Sequence, residues 1–318
     1  MAMDYPPLRS VPGFSWMGIN LGLKDQTLDF GVIASECKCT AAGVFTRNNF
    51  PGAPVTVGRE NIQNGQLQAI VVNSKIANVA TGIDGIEDAK NMCRWTGEAL
   101  GIDPELVLPS STGIIGRRLP VEKIHEGCKI IPEKLGSSPE YIDNFARAIM
   151  TTDTHPKWCS ASIENSTLLG VAKGAGMIEP NMATMLSFFV TDAKISSEQL
   201  QTILRRVVNQ SFNRISIDSD TSTSDTVVIL ANGLAGPVDT EIFEKTLRNS
   251  SIQLAKEIAR DGEGSTKLIE LTVSGAKSQE MALQISKSII NSPLVKTAIH
   301  GADPNWGRFV MAVGKVFE

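Results

Sequence analysis

Gly170-Val171-Ala172-Lys173-Gly174-Ala175-Gly176-Met177-Ile178-Glu179-Pro180-Asn181-Met182-Ala183-Thr184-Met185-Leu186-Ser187-Phe188-Phe189 is the segment around which this chain is built. An apolar approach (Leu168, Leu169, Val171) and an apolar exit beginning at Met185 enclose glycines, a proline and an asparagine. Such a pattern predicts two strands joined by a turn-rich loop, because those residues supply the backbone angles that a strand interior lacks. Thr184 stands where the apolar run resumes, and the small Ala183 before it leaves the intervening carbonyl open to attack. The pair reads as a candidate nucleophile and its target at the mouth of a strand.

Working outward, apolar runs at 28–34, 40–45, 67–72, 227–230 and 268–273 read as strands, as do Ile215-Ser216-Ile217 and the terminal run 309–313. Helical spacing marks 85–100, 121–131 (stopped by Pro132), 141–150, 196–209, 240–259 and 280–290. Strands and helices alternate with no fixed repeat, so the expected fold class is α/β, with stacked sheets and helices and mixed strands. Gly170 to Gly176 spells G-x-x-x-G-x-G, which is neither the dinucleotide fingerprint nor a Walker loop.

A chain of 318 residues can bury a sizeable core without covalent staples. Its 30 basic and 34 acidic side chains give a formal charge of -4 with no long run of one sign, which offers a phosphate backbone little; no nucleic-acid partner is expected. No segment has the length and apolarity of a membrane span, and the expected compartment is the cytoplasm. Five scattered cysteines suit neither a disulfide framework nor a zinc site, and they read as buried, inert thiols. His125, His155 and His300 have no ligand spacing, and 218–225, though dense in oxygen side chains, lacks the glycine and closing glutamate of an EF-hand, so no metal is expected.

The central segment from Ala172 to Leu186 resembles the self-cleavage motif of the ornithine acetyltransferase (glutamate N-acetyltransferase) family. Gly43-Val44-Phe45-Thr46, Ser110-Ser111-Thr112-Gly113-Ile114-Ile115-Gly116, Met150-Thr151-Thr152-Asp153-Thr154, Ser211-Phe212-Asn213-Arg214, Asp220-Thr221-Ser222-Thr223, Asp261-Gly262-Glu263-Gly264 and His300-Gly301-Ala302-Asp303-Pro304-Asn305-Trp306-Gly307-Arg308 are similar to that family's other motifs, in the same order.

The resemblance implies an ornithine acetyltransferase/DmpA-like fold and an arginine-biosynthesis enzyme that cuts itself between Ala183 and Thr184. The products would be an α chain, 1–183, and a β chain, 184–318, pairing as α2β2. Thr184 would then carry acetyl from N-acetylornithine to glutamate, with Thr112 and Gly113 stabilising the oxyanion and Thr152, Lys173, Thr184 and Glu263 binding substrate. No cofactor is implied, and acetyl-coenzyme A stays open as a co-substrate. Two departures stand out: Lys75-Ile76 occupy a turn where the family has Gly-Asn, and the family continues past the position of Glu318, so the expected β chain lacks that segment. A relative that only binds or assembles, or an amidase passing the acyl group to water, remain the alternatives.

Overall fold

The computed structural model describes residues 7–179 and 185–316. β1 (Phe14–Ile19), β2 (Phe30–Phe45), β3 (Gln66–Asn73), β4 (Val107–Ser111), β5 (Lys157–Ile163), β6 (Ser166–Lys173), β7 (Leu186–Lys194) and β8 (Thr226–Pro237) form one mixed sheet in the order β4-β3-β2-β8-β7-β6-β5, with β1 paired to β2. β3 runs parallel to β4 and β7 parallel to β8; the other pairs are antiparallel. The mixed α/β class expected from the alternating runs is the one observed.

β2 joins two half-sheets. Its register with β3 shifts between Ala34 and Cys39; the pairing with β3 ends at Thr40, where that with β8 begins and runs to Phe45. A bulge bends a strand and increases its twist, and the central core shows the result: Ile33, Ile70 and Val72 of one half share a cluster with Leu169, Val171, Phe188 and Val228 of the other. The half-sheets therefore stack. α1 (Ala53–Asn61), α2 (Gly82–Leu100) and α3 (Val121–Lys129) cover the outer face of the first half through Val32, Val71, Met92 and Ile124. α6 (Ser197–Gln210) and α7 (Thr240–Arg260), labelled in chain order after the short α4 (Ile131–Lys134) and α5 (Pro139–Ala148), cover the second through Phe189, Leu204 and Leu254. α5 enters the central core, Phe145 meeting Trp16 and Phe188 edge-on at centroid distances of 5.2 and 6.0 Å.

The later elements depart from sequence expectation. Residues 268–273 have no regular structure: no strand among the described residues pairs with them, and alternation alone cannot hold a strand. Ile215 to Ile217 likewise stay outside the sheet; Ile217 N donates to Ile178 O (2.6 Å), and the carbonyls of Ile215 and Ile217 accept from Lys287 (2.7 Å) and Lys296 (2.5 Å) rather than from a strand. The run 309–313 is helical, within α10 (Trp306–Val313); α8 (Gln279–Ile290) and α9 (Pro293–His300) precede it. Trp306, Phe309, Val310 and Val313 repeat at helical spacing, a period the short apolar run concealed. Pro132 does not stop a helix but opens α4, where its missing N–H costs nothing.

Packing of α5 on β1 leaves no room at Gly18, where a Cβ would strike the Asn144 carbonyl. Gly18→Ala is expected to lower the unfolding free energy by about 1–3 kcal/mol, read from urea denaturation; an unchanged midpoint would show that α5 does not rest there.

Candidate active site

β6 ends at Lys173 and β7 begins at Leu186, directly opposite it in the antiparallel register, while Leu186 also pairs with Thr226 at the start of β8. The segment between them is tied down on both sides. Gly174 N donates to Asp153 Oδ1 (2.6 Å), Glu263 N to Ala175 O (2.8 Å), and Met177 N and Ile178 N to the Asp218 carboxylate (2.5 and 2.7 Å). On the far side Met185 N donates to Asp225 Oδ1 (2.6 Å) and Thr226 N to Met185 O (3.0 Å). Ala183 and Thr184, the expected cleavage pair and nucleophile, lie outside the described residues.

A cavity of about 790 Å³ opens beside this loop, and Thr112, Gly113, Thr152, Lys173 and Glu263 all line it. They come from β6 and three loops widely separated in sequence. Thr112 follows β4, which is parallel to β3; its amide donates to Asn73 O (3.1 Å), leaving its hydroxyl and the Gly113 amide as the pair's candidate oxyanion donors. Gly113 has φ +130 and lies so close to the Lys75 carbonyl that no Cβ fits. At Gly176 a Cβ would meet the end of the Glu263 side chain, which would have to shift to admit it.

Behind the cavity lies a buried ionic cluster. Lys157, with no exposed surface, donates to Asp153 Oδ1 (2.7 Å) and Asp261 Oδ2 (2.6 Å). Asp153 also accepts from Thr151 N (3.0 Å), and Lys173 Nζ reaches Thr151 Oγ1 (3.2 Å). Asp261 accepts from Thr154 N (3.0 Å) and from the Thr154 hydroxyl. Burial pushes the Asp153 carboxyl up, but Lys173, Lys157 and the Thr151 amide together outweigh it and hold it at about 2. Asp225, beside Met185, is the opposite case: burial raises it well above the ordinary carboxylate range against the pull of that amide and of Lys173. Burial likewise lowers Lys173, opposed by Asp153, Asp225 and Glu263.

The sequence reading missed Lys24, Lys75 and Ser222 to Ser224, which also line the cavity. It also missed Lys157, whose burial no local pattern signals. The acidic stretch weighed as a cation loop has a different use: Asp218 caps backbone amides of the glycine loop and Asp225 holds the entry to β7. Cys39, Cys93, Cys128 and Cys159 are buried free thiols, each pushed up by burial to about 12, which makes them inert. Among the described residues no helix is long and apolar enough to cross a membrane.

Hydroxyl and amide donors, a buried lysine and a facing carboxylate around one cavity suit a small amino compound that bears a carboxylate, and the acyl chemistry of its nitrogen. Comparison with known proteins agrees. The model of the ArgJ family matches residues 15–317. Arginine biosynthesis bifunctional protein ArgJ 2 of Clostridium acetobutylicum is 55% identical over 306 residues, covering 96% of this chain and 78% of that one. Glutamate N-acetyltransferase Oat2 of Streptomyces clavuligerus is 48% identical over 296 residues, covering 93% of this chain and 75% of that one. A Burkholderia sp. beta-aminopeptidase shares the fold alone, with a TM-score of 0.51 at 10% identity over 82% of this chain and 88% of that one. The chain belongs to the ArgJ family.

Lys157→Met would leave two buried carboxylates without their cation, and a loss of about 3–5 kcal/mol is expected in denaturant unfolding; a loss below about 1 kcal/mol would mean the cluster is not closed as described. The lowered Asp153 predicts a pH dependence of definite sign. Its folded value of about 2 lies below the unfolded 3.8, so its contribution of about 2 kcal/mol is complete above pH 4–5 and lost as pH falls toward 2. Asp153→Asn should flatten that part of the stability–pH curve.

Proposed function

We propose that this protein transfers acetyl from N2-acetylornithine to glutamate, the exchange step of arginine biosynthesis, after cutting itself between Ala183 and Thr184 into chains 1–183 and 184–318. The observation that carries the reading is the convergence of Thr112, Gly113, Thr152, Lys173 and Glu263 on one cavity beside that loop.

Maturation begins when the Thr184 hydroxyl adds to the Ala183 carbonyl. The acyl group moves from the Thr184 nitrogen to its oxygen, and water hydrolyses the ester, leaving the Ala183 carboxylate and a free α-amine on Thr184. That amine, with an intrinsic pKa of about 7.7–8.0, is partly neutral near pH 7 and serves as base for its own hydroxyl. In the first half-reaction Thr184 Oγ adds to the acetyl carbonyl of N2-acetylornithine; the tetrahedral oxyanion is stabilised by the Thr112 hydroxyl and the Gly113 amide, ornithine leaves with a proton, and acetyl-Thr184 remains. Glutamate's amino group reverses the sequence. Lys173 pairs with the α-carboxylate common to both substrates and Glu263 with the ornithine ammonium, while Thr152 lines the same wall. No cofactor takes part; acetyl-coenzyme A would enter as a second acetyl donor. We take the assembly to be α2β2 and the compartment the cytoplasm.

Denaturing mass spectrometry should find two fragments meeting between Ala183 and Thr184, and Thr184→Ala a single uncut chain. Ornithine release from N2-acetylornithine should continue to completion only with glutamate, giving acetylglutamate; release at the same rate without it would replace transfer by hydrolysis, and no release would overturn the reading. Thr112→Val should lower kcat about 10²–10³-fold, as loss of one oxyanion donor does. Lys173→Met should raise KM for N2-acetylornithine at least tenfold, and an unchanged KM would remove Lys173 from the pocket.

A further inference from the structure

Lys75 adopts φ +80, the left-handed region that favours glycine. A side chain held there is strained, and such strain persists only where neighbours over-determine it. Here the Lys75 carbonyl accepts from Ile114 N (2.9 Å) and Gly113 packs against it, so the backbone has no other course. The lysine side chain is exposed and lines the cavity.

Lys24 lines the same cavity from another loop. Its ammonium donates to Leu28 O (2.9 Å) and Met150 O (2.7 Å), both neutral acceptors. The loop that carries it is fixed by Asp29, whose carboxylate accepts from Leu21 N (2.7 Å), Leu23 N (2.7 Å) and Lys24 N (2.8 Å). Asp29 and Asp153 act on Lys24 from a distance, as do Lys173 and Lys75, but among the described residues no carboxylate is in ion-pair contact with Lys24 or Lys75. Glu263 acts on Lys173 but is not among the charges acting on Lys24. Ser74 N donates to Asp29 O (2.8 Å), so the residue before Lys75 and the loop of Lys24 meet at Asp29, whereas Glu263 is held against the glycine loop through Ala175 O (2.8 Å) and Gly176; all three charged side chains line the cavity, as does Asp25, next to Lys24.

We propose that Lys24 and Lys75 form a subsite for a second carboxylate, that of the acceptor's side chain. This rests on the acetyl-transfer reading. In a double displacement two amino acids occupy one cavity in turn, with the reacting nitrogen and the α-carboxylate in common. They differ at the far end, where the donor has an ammonium and the acceptor a carboxylate. No single wall attracts both, so the pocket needs a carboxylate for one and cations for the other. Lys75, held in a conformation that glycine would adopt without strain, supplies a charge that glycine could not.

Lys75→Gly tests this without endangering the fold, because glycine relieves the strained position; its melting temperature should equal or exceed the parent's. KM for glutamate should rise about tenfold or more, the effect expected for a lost charged hydrogen bond, while KM for N2-acetylornithine moves less than twofold and the preference for glutamate over glutamine shrinks. Lys24→Met should act in the same direction. An unchanged glutamate KM in both variants, or an equal rise for both substrates, overturns the subsite. If the unaltered chain transfers no acetyl, the acetyl-transfer reading falls by itself. Calorimetric binding of glutamate against glutamine then decides the subsite: a preference for glutamate that Lys75→Gly loses supports it, and equal binding in parent and variant overturns it.

Discussion

The pocket depends on one buried cation. Lys157 sits between Asp153 and Asp261 with no exposed surface, and each carboxylate goes on to order a different part of the site. Asp153 takes the amides of Thr151 and Gly174, and so fixes both the Thr151-Thr152 turn and the point where the glycine loop leaves β6. Asp261 takes the amide and hydroxyl of Thr154 and stands two residues before Glu263. An apolar cluster of the same volume could be as stable or more so, since desolvating three charges costs several kcal/mol per ion. What such a cluster could not do is set Thr152, Lys173 and Glu263 in fixed relation, which needs directional bonds.

The same cluster sets the electrostatics. Asp153 and Asp225 are both buried carboxyls within reach of Lys173, yet they shift in opposite directions. The difference is the number of cations and amides at each: Asp153 has Lys157 in contact as well, whereas the pull of the Met185 amide, Lys173 and the Thr46 side chain on Asp225 does not offset its burial. Carboxyls driven apart in this way occur where one must stay charged to organise and another is better neutral. Here the charged one joins the Thr151 turn to the start of the glycine loop, and the one favoured neutral lies at Met185, just before β7.

Local chemistry made part of this legible in the sequence. Glycines and a proline between two apolar runs announced β6, β7 and the loop, and helical spacing announced α2, α6 and α7, because those signals live within a few residues. Thr112, Gly113, Thr152, Lys173 and Glu263 were reached through motif resemblance, and their meeting in one cavity is a property of the fold alone. Lys157 was illegible: a lone lysine is ordinarily a solvated one, and only the approach of Asp261, over a hundred residues away, makes it a core residue. Residues 268–273 failed in the other direction, having the alternation of a strand but no described neighbour to pair with.

The acidic stretch before β8 shows why composition misleads about chemistry. Oxygen-rich residues in close succession suit a cation only if they point at one place, and here the Asp218 carboxylate points at the Met177 and Ile178 amides and Asp225 Oδ1 at the Met185 amide. In the sequence those bonds lie on either side of the Ala183–Thr184 peptide, at Met177 and Ile178 before it and at Met185 after it. For the self-cleavage proposed above, fixed residues on both sides would lower the entropy cost of bringing the Thr184 hydroxyl to the neighbouring carbonyl, which is the gain that held reactants have over free ones. Acidic side chains that look like metal ligands in the sequence thus act as anchors for the backbone of Met177, Ile178 and Met185.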